Sequence, residues 1–142
     1  MKSFKIFFFS TLISFLLSAP LFANNSTPQD VVTTWTQVCG VDQMKASNLT
    51  TSRFRGGKNK QPWADEIYKS LKKMGYRHLG GEIINKLISK DVAVIVLQSS
   101  INTLVGKTSQ KESYLLIHQN DEWLIDQIAI NDEVIKVKGL NI

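Results

Sequence analysis

The chain predicts an α+β fold in which N-terminal helices pack on a curved antiparallel β-sheet of about four strands. Three observations carry this reading. Apolar residues recur at three- and four-residue spacing as far as Gly75, and from Gly80 the pattern changes to short β-branched runs. The pieces between those runs, "SKD" and "NDE", are tight hairpin signals with no room for the crossover helices that parallel strands need. Helices first and strands afterwards is the order of an α+β domain, and 142 residues is the size of one such domain.

Taken in order, Met1 to Ala23 reads as a secretory signal: Lys2 and Lys5, the apolar run "IFFFSTLISFLL", then "SAPLFA". The run from Ile6 to Leu17 falls short of the roughly 20 residues that a membrane anchor needs. Cleavage after Ala23 is therefore expected, leaving residues 24–142 as a single domain with no transmembrane anchor. The first helix, Pro28 to Cys39, has Thr27 as its cap, Pro28 at its first position and Asp30 three residues after the cap. Val31, Trp35 and Val38 form its apolar stripe, flanked by Val32 and Cys39, and Gly40 stops it. A shorter helical segment from Asp42 to about Thr50 carries Met44, Ala46 and Leu49. A third helix starts at Pro62 and ends at Gly75, with Trp63, Ile67, Leu71 and Met74 on one side and Lys69, Lys72 and Lys73 facing water.

The strands are "GGEIINKLIS", "DVAVIVLQSSI", "ESYLLIHQ" and "EWLIDQIAI". "NTLVGKTSQK" is either a longer connection or a strand extension with a bulge near Gly106. Val134 to Val137 either adds a short edge strand or frays. Pairing Gln119 with Glu122, Ile117 with Leu124 and Leu115 with Asp126 puts Asp126 on the face of Ile117, opposite His118, whose neighbour becomes Trp123. A one-residue slip would reverse that.

The segments "TPQDVV", then Ala46, Leu49, Thr50, Phe54 and Arg55, then "EWLI" resemble the capped helix, "A..L(S/T)..FR" stretch and Trp-x-Ile strand of small exported bacterial proteins in the nuclear transport factor two-like superfamily. The resemblance spans about Thr27 to Ile130 and implies a cone-shaped α+β domain. It also implies that any enzyme built on this cone would set an acid/base pair in the mouth between helices and sheet, and that a homodimer through the open sheet face is an expectation. It does not select an activity, because the same fold carries hydrolases, isomerases, dehydratases and adaptors.

Composition narrows the function classes. Without Lys2 and Lys5 the chain has 15 basic and 12 acidic side chains, a net charge of +3, too mild for a nucleic-acid binder. The single cysteine, Cys39, provides neither an internal disulfide nor a zinc site, and no other metal or cofactor is expected. "VGKT" at Val105 to Thr108 is not a phosphate-binding loop, since the first glycine of that motif would fall on Ile101. A short signal before so small a domain fits a bacterial periplasmic or secreted protein.

Three groups of residues are candidates for function. His118 with Asp126, or His78, is the available material for a catalytic pair; polar residues on a solvated strand are the alternative. Trp35, Tyr76, Tyr114 and Trp123 either line a small-ligand pocket or fill the core. Arg53, Arg55, Lys58 and Lys60 either bind an anion or belong to a solvated connector that tolerates replacement of all four by Gln. With no catalytic motif, the leading reading is an exported cell-envelope domain that binds a small ligand or a protein partner. The alternative is a small-molecule hydrolase, isomerase or dehydratase using a pocket His and a carboxylate.

Overall fold

The computed structural model describes residues 26–137 and 140–141. The expected signal segment, Met1 to Ala23, lies outside the described residues. The first helix, α1 (Pro28–Val38), opens on a complete capping box: the Thr27 N–H donates to Asp30 Oδ2 at 2.9 Å, and the Asp30 N–H donates to Thr27 Oγ1 at 3.2 Å. Its stripe of Val31, Val32, Trp35 and Val38 is buried. The second helix, α2 (Gln43–Asn48), is capped by Asp42, which accepts from the Lys45 N–H at 3.0 Å.

The third helix, α3 (Lys60–Lys73), begins two residues before the expected start at Pro62. Pro62 is tolerated there because the first amide with an intrahelical partner is that of Trp63, which donates to Asn59 O at 3.2 Å. Met74, expected on the packed side, is instead 49% exposed, because the helix ends at Lys73 and the chain turns away at Gly75.

Four antiparallel strands follow: β1 (Arg77–Ile88), β2 (Val92–Thr103), β3 (Gly106–Gln119) and β4 (Glu122–Ile130), in the order β1-β2-β3-β4. The β3–β4 turn has both central residues at positive φ, Asn120 at 52° and Asp121 at 61°, as the twist of a two-residue hairpin demands. The β2–β3 connection is a hairpin as well. Both strands extend into "NTLVGKTSQK", Thr103 pairs with Gly106, and Leu104–Val105 is the turn; the register runs unbroken, so Gly106 marks no bulge.

Bulges occur elsewhere. Within β1 the register shifts between His78 and Gly81 and again between Ile83 and Asn85. In β4 the pairing jumps from Leu116–Ile125 to Leu115–Gln127, leaving Asp126 as the extra residue in place of the expected Leu115–Asp126 pair. The edge of β4 is partly closed by the segment after α2, since the Thr51 N–H donates to Ile125 O at 3.0 Å and the Ile125 N–H donates to Leu49 O at 2.8 Å. Near the C-terminus, β5 (Lys136–Val137) pairs with β6 (Leu140–Asn141) as a separate two-stranded ladder, not as a fifth strand of the sheet.

The main core lies between helices and sheet and includes Val32, Trp35, Trp63, Ile95, Tyr114, Leu116 and Ile125. A smaller cluster of Leu115, Ala129 and Ile135, joined by Val92 and Val94, covers the other face. No helix among the described residues is long and apolar enough to cross a membrane.

Candidate functional site

A cleft of about 690 Å³ opens between the C-terminal half of α1 and the start of β1. Thr33, Thr36 and Cys39 line it from the helix side, and Tyr76, His78 and Leu97 from the sheet side. Their arrangement follows from local sequence. Helical spacing sends Val32, Trp35 and Val38 into the core and leaves Thr33 and Thr36 toward the opening. At the sheet, Gly81 lets β1 approach β2 closely, because a Cβ there would stand 2.7 Å from Gln98 O.

Against the cleft lies a buried polar network centred on Glu112. The imidazole of His78 and the carboxylate of Glu112 are only 2% and 3% exposed, with Nε2 and Oε2 3.3 Å apart. Because the Gly80 N–H donates to His78 Nδ1 at 3.0 Å, the ring hydrogen sits on Nε2 and donates to Glu112. The Tyr114 hydroxyl donates to the same carboxylate oxygen at 2.5 Å, and Gln110 Nε2 donates to Oε1 at 2.7 Å.

Burial pushes the Glu112 carboxyl upward, but the hydrogen bonds from His78, Tyr114 and Gln110 outweigh it, and the net shift is below the ordinary carboxylate range. Burial and the neighbouring Glu112 charge push the Tyr114 phenol upward. Tyr76 is raised mainly by burial, and burial pushes the Cys39 thiol up to about 12. At neutral pH the site therefore presents a carboxylate already taken up by three donors, two un-ionised phenols and an unreactive thiol. Both nitrogens of His78 are engaged, and no acid or base of the network is left free for a molecule in the cleft.

The structure separates the other sequence candidates. His118 stacks on Trp123, its partner across the hairpin, with ring centroids 4.8 Å apart. Asp126 is buried on the side of Ile117, where it accepts from Thr51 Oγ1 at 2.7 Å and forms an ion pair with Arg53. His118 and Asp126 are thus not brought together. Of the four aromatic candidates only Tyr76 lines the cleft: Trp35 and Tyr114 are core residues, and Trp123 packs at the core's margin. Tyr114 reaches the site through its hydroxyl alone.

The four cations of the connector do not converge on one point. Arg53 pairs with Asp126 and Lys58 with Glu66. Arg55 donates to Thr50 O at 2.7 Å and Ser47 O at 3.3 Å, satisfying carbonyls at the end of α2, and Lys60 donates to Asn48 Oδ1 at 2.9 Å. Replacing all four by Gln should accordingly cost stability, unlike replacement in a purely solvated connector, because Asp126 would lose its charged partner in a buried setting.

Sequence reasoning passed over Glu112 and Gln110. The signal was available: "QKESY" alternates, so Gln110, Glu112 and Tyr114 share one face of β3. With Tyr114 in the core, that face is the inward one, and a carboxylate on it needs donors. Among the described residues no group of three or more His, Cys, Asp or Glu side chains stands where it could hold a metal ion.

No family model matches the chain, and no curated protein matches it in sequence. Solved structures do share its fold. A domain of unknown function with a cystatin-like fold from Nostoc punctiforme PCC 73102 superposes with a TM-score of 0.55 at 10% identity, over 78% of this chain and 81% of that one. An NTF2-like protein of unknown function from Pseudomonas putida KT2440 gives 0.54 at 9% identity, over 80% and 89%. Bdellovibrio bacteriovorus Bd1075 gives 0.54 at 13% identity, with 72% of this chain covering only 38% of that larger protein. The architecture is NTF2-like, in agreement with the resemblance read from the sequence.

Proposed function

We propose that this protein is an exported cell-envelope domain that binds a small, largely uncharged ligand in the cleft beside α1. The observation that carries the reading is the pairing of a roomy cleft with a polar network that is already saturated. The hydroxyls of Thr33, Thr36 and Tyr76 offer neutral hydrogen bonds, Leu97 and Ile83 offer apolar surface, and the exposed Arg77 is the one Lys, Arg, Asp or Glu side chain in the lining. Export rests on the segment from Met1 to Ala23, and sequencing the N-terminus of the envelope-localised protein should begin at Asn24.

Thermal-shift screening against small molecules extracted from a bacterial envelope tests the binding. Hits should raise the Tm of the wild-type chain and leave Thr36→Trp, which fills the cleft from the exposed side of α1, unmoved. A screen with no hit, or hits that stabilise both proteins equally, would sink the proposal.

One observation favours a second reading. His78 lies beside the cleft within hydrogen-bond distance of a carboxylate, so a hydrolase, isomerase or dehydratase would draw on His78 and Glu112 and not on His118. Such an enzyme must first break the Gly80 or Glu112 bond of His78. A ligand that binds wild type and is recovered chemically unchanged decides for the binding module.

A further inference from the structure

The β2–β3 hairpin ends in two aliphatic residues that the fold does not bury. Leu104 is 79% exposed and Val105 is 98% exposed. Turn geometry does not call for them: two-residue hairpins favour Asn, Asp and Gly, and here the positive φ of 115° is taken by Gly106. The tip is nonetheless held in place. The Leu104 N–H donates to Met74 O at 3.0 Å, and a Cβ on Gly75 would stand 2.8 Å from Leu104 Cδ2, so the tip rests directly on the turn that follows α3. This contact sets Met74, itself half exposed, beside Leu104 and Val105 as one apolar prominence.

Basic side chains flank it. Lys72 and Lys73 occupy the last turn of α3, Arg77 pairs with Asn102 in the hairpin, and Lys107 follows the tip; all four are exposed. No Asp or Glu occurs in the sequence between Glu66 and Glu82 or between Asp91 and Glu112, the stretches that hold the turn after α3 and the hairpin tip. An apolar prominence ringed by cations is complementary to a surface with anionic headgroups above hydrocarbon. A protein partner would have to match the same layout with acids around an apolar socket, and a nucleic acid would have no use for the aliphatic tip.

We propose that this end of the molecule docks on an anionic lipid surface, with Val105, Leu104 and Met74 entering the acyl boundary and Lys72, Lys73, Arg77 and Lys107 lying among headgroup phosphates. The surface shares Arg77 with the lining of the cleft but none of the Glu112 network, and its apolar tip of Leu104 and Val105 does not depend on the ligand reading of the cleft.

Flotation of the purified protein with phosphatidylcholine vesicles, and with vesicles of phosphatidylcholine and phosphatidylglycerol in equal parts, tests it. Binding is expected only with the mixed vesicles and should weaken as salt is raised. Each of Lys72→Gln, Lys73→Gln and Lys107→Gln should lower the partition coefficient about fivefold. Val105→Glu should lower it by at least about tenfold, with Tm unchanged because the side chain touches nothing. In Val105→Trp, the emission difference from wild type should shift to the blue on mixed vesicles alone, which reports this tip whatever the N-terminus does. Equal binding to both vesicle types, partition indifferent to Val105→Glu, or binding to heparin with none to vesicles would overturn the proposal.

Discussion

Glu112 is the residue on which the interior polar chemistry turns. Its carboxyl is held below the ordinary value, so the stability it contributes is complete above about pH 4.3 and is lost as the pH falls through the lower folded-state value. Tyr114 works from the other side. With its phenol raised, the folded state keeps a proton that the unfolded chain releases near pH 10, and stability falls as the pH climbs beyond that. Glu112→Gln should keep the shape, cost about 2 kcal/mol at neutral pH through lost charge-assisted bonds, and flatten the acid limb of a urea-denaturation series run against pH. An acid limb unchanged in Glu112→Gln would mean that other carboxylates govern acid unfolding. How legible this was depended on parity. The inward face of "QKESY" follows from alternation, but the partner His78 comes from β1, across two strand pairings and a bulge that alternation does not encode.

At the scale of elements, the helices were readable because their signals are local. Thr27 and Asp30 close a capping box within one turn, and the stripe of α1 is the buried one. The start of α3 was misplaced because Pro marks the first helical turn and not one position within it. The β2–β3 hairpin was ambiguous because Leu104–Val105 lacks the residues that announce a two-residue turn. The Asp126 bulge was not legible at all, since its cause is a long-range one: the extra residue of β4 places a carboxylate against Thr51 and Arg53 from the segment after α2. That segment is therefore stitched to β4 by a buried acid and not only by the Thr51 and Ile125 backbone bonds. Arg53→Gln should cost about 1–2 kcal/mol, limited because the guanidinium is 59% exposed and water replaces part of what is lost. Lys58→Gln, whose pair with Glu66 is exposed on both sides, should change the urea midpoint little. Equal losses for the two variants would show that the Arg53 pair is no better than a surface one.

For the whole molecule, the sheet separates two cores of unequal size, and adjacent residues of β3 sample both. Leu116 is fully buried among Val32, Ile95 and Ile125 beneath the helices, whereas Leu115 faces Ala129 and Ile135 on the other side. Burial alone does not distinguish them, at 0% and 2% exposure. What differs is the surroundings: Leu116 is enclosed by elements packed from several directions, so a cavity left there cannot collapse. Leu115 is covered by the short stretch around Ile135, which is tethered where Gln127 exchanges hydrogen bonds of 2.6 and 3.0 Å with the backbone of Lys136. Leu116→Ala should therefore lie at the upper end of the Leu-to-Ala range, about 4–5 kcal/mol, and Leu115→Ala at its lower end, about 2–3 kcal/mol. Gln127→Ala should release the cover and reduce the further cost of Leu115→Ala, so the two substitutions should be less than additive. Equilibrium urea unfolding of the two single variants and their double checks this. Strict additivity would mean that the stretch around Ile135 holds its place without Gln127, and that the second core is as self-supporting as the first.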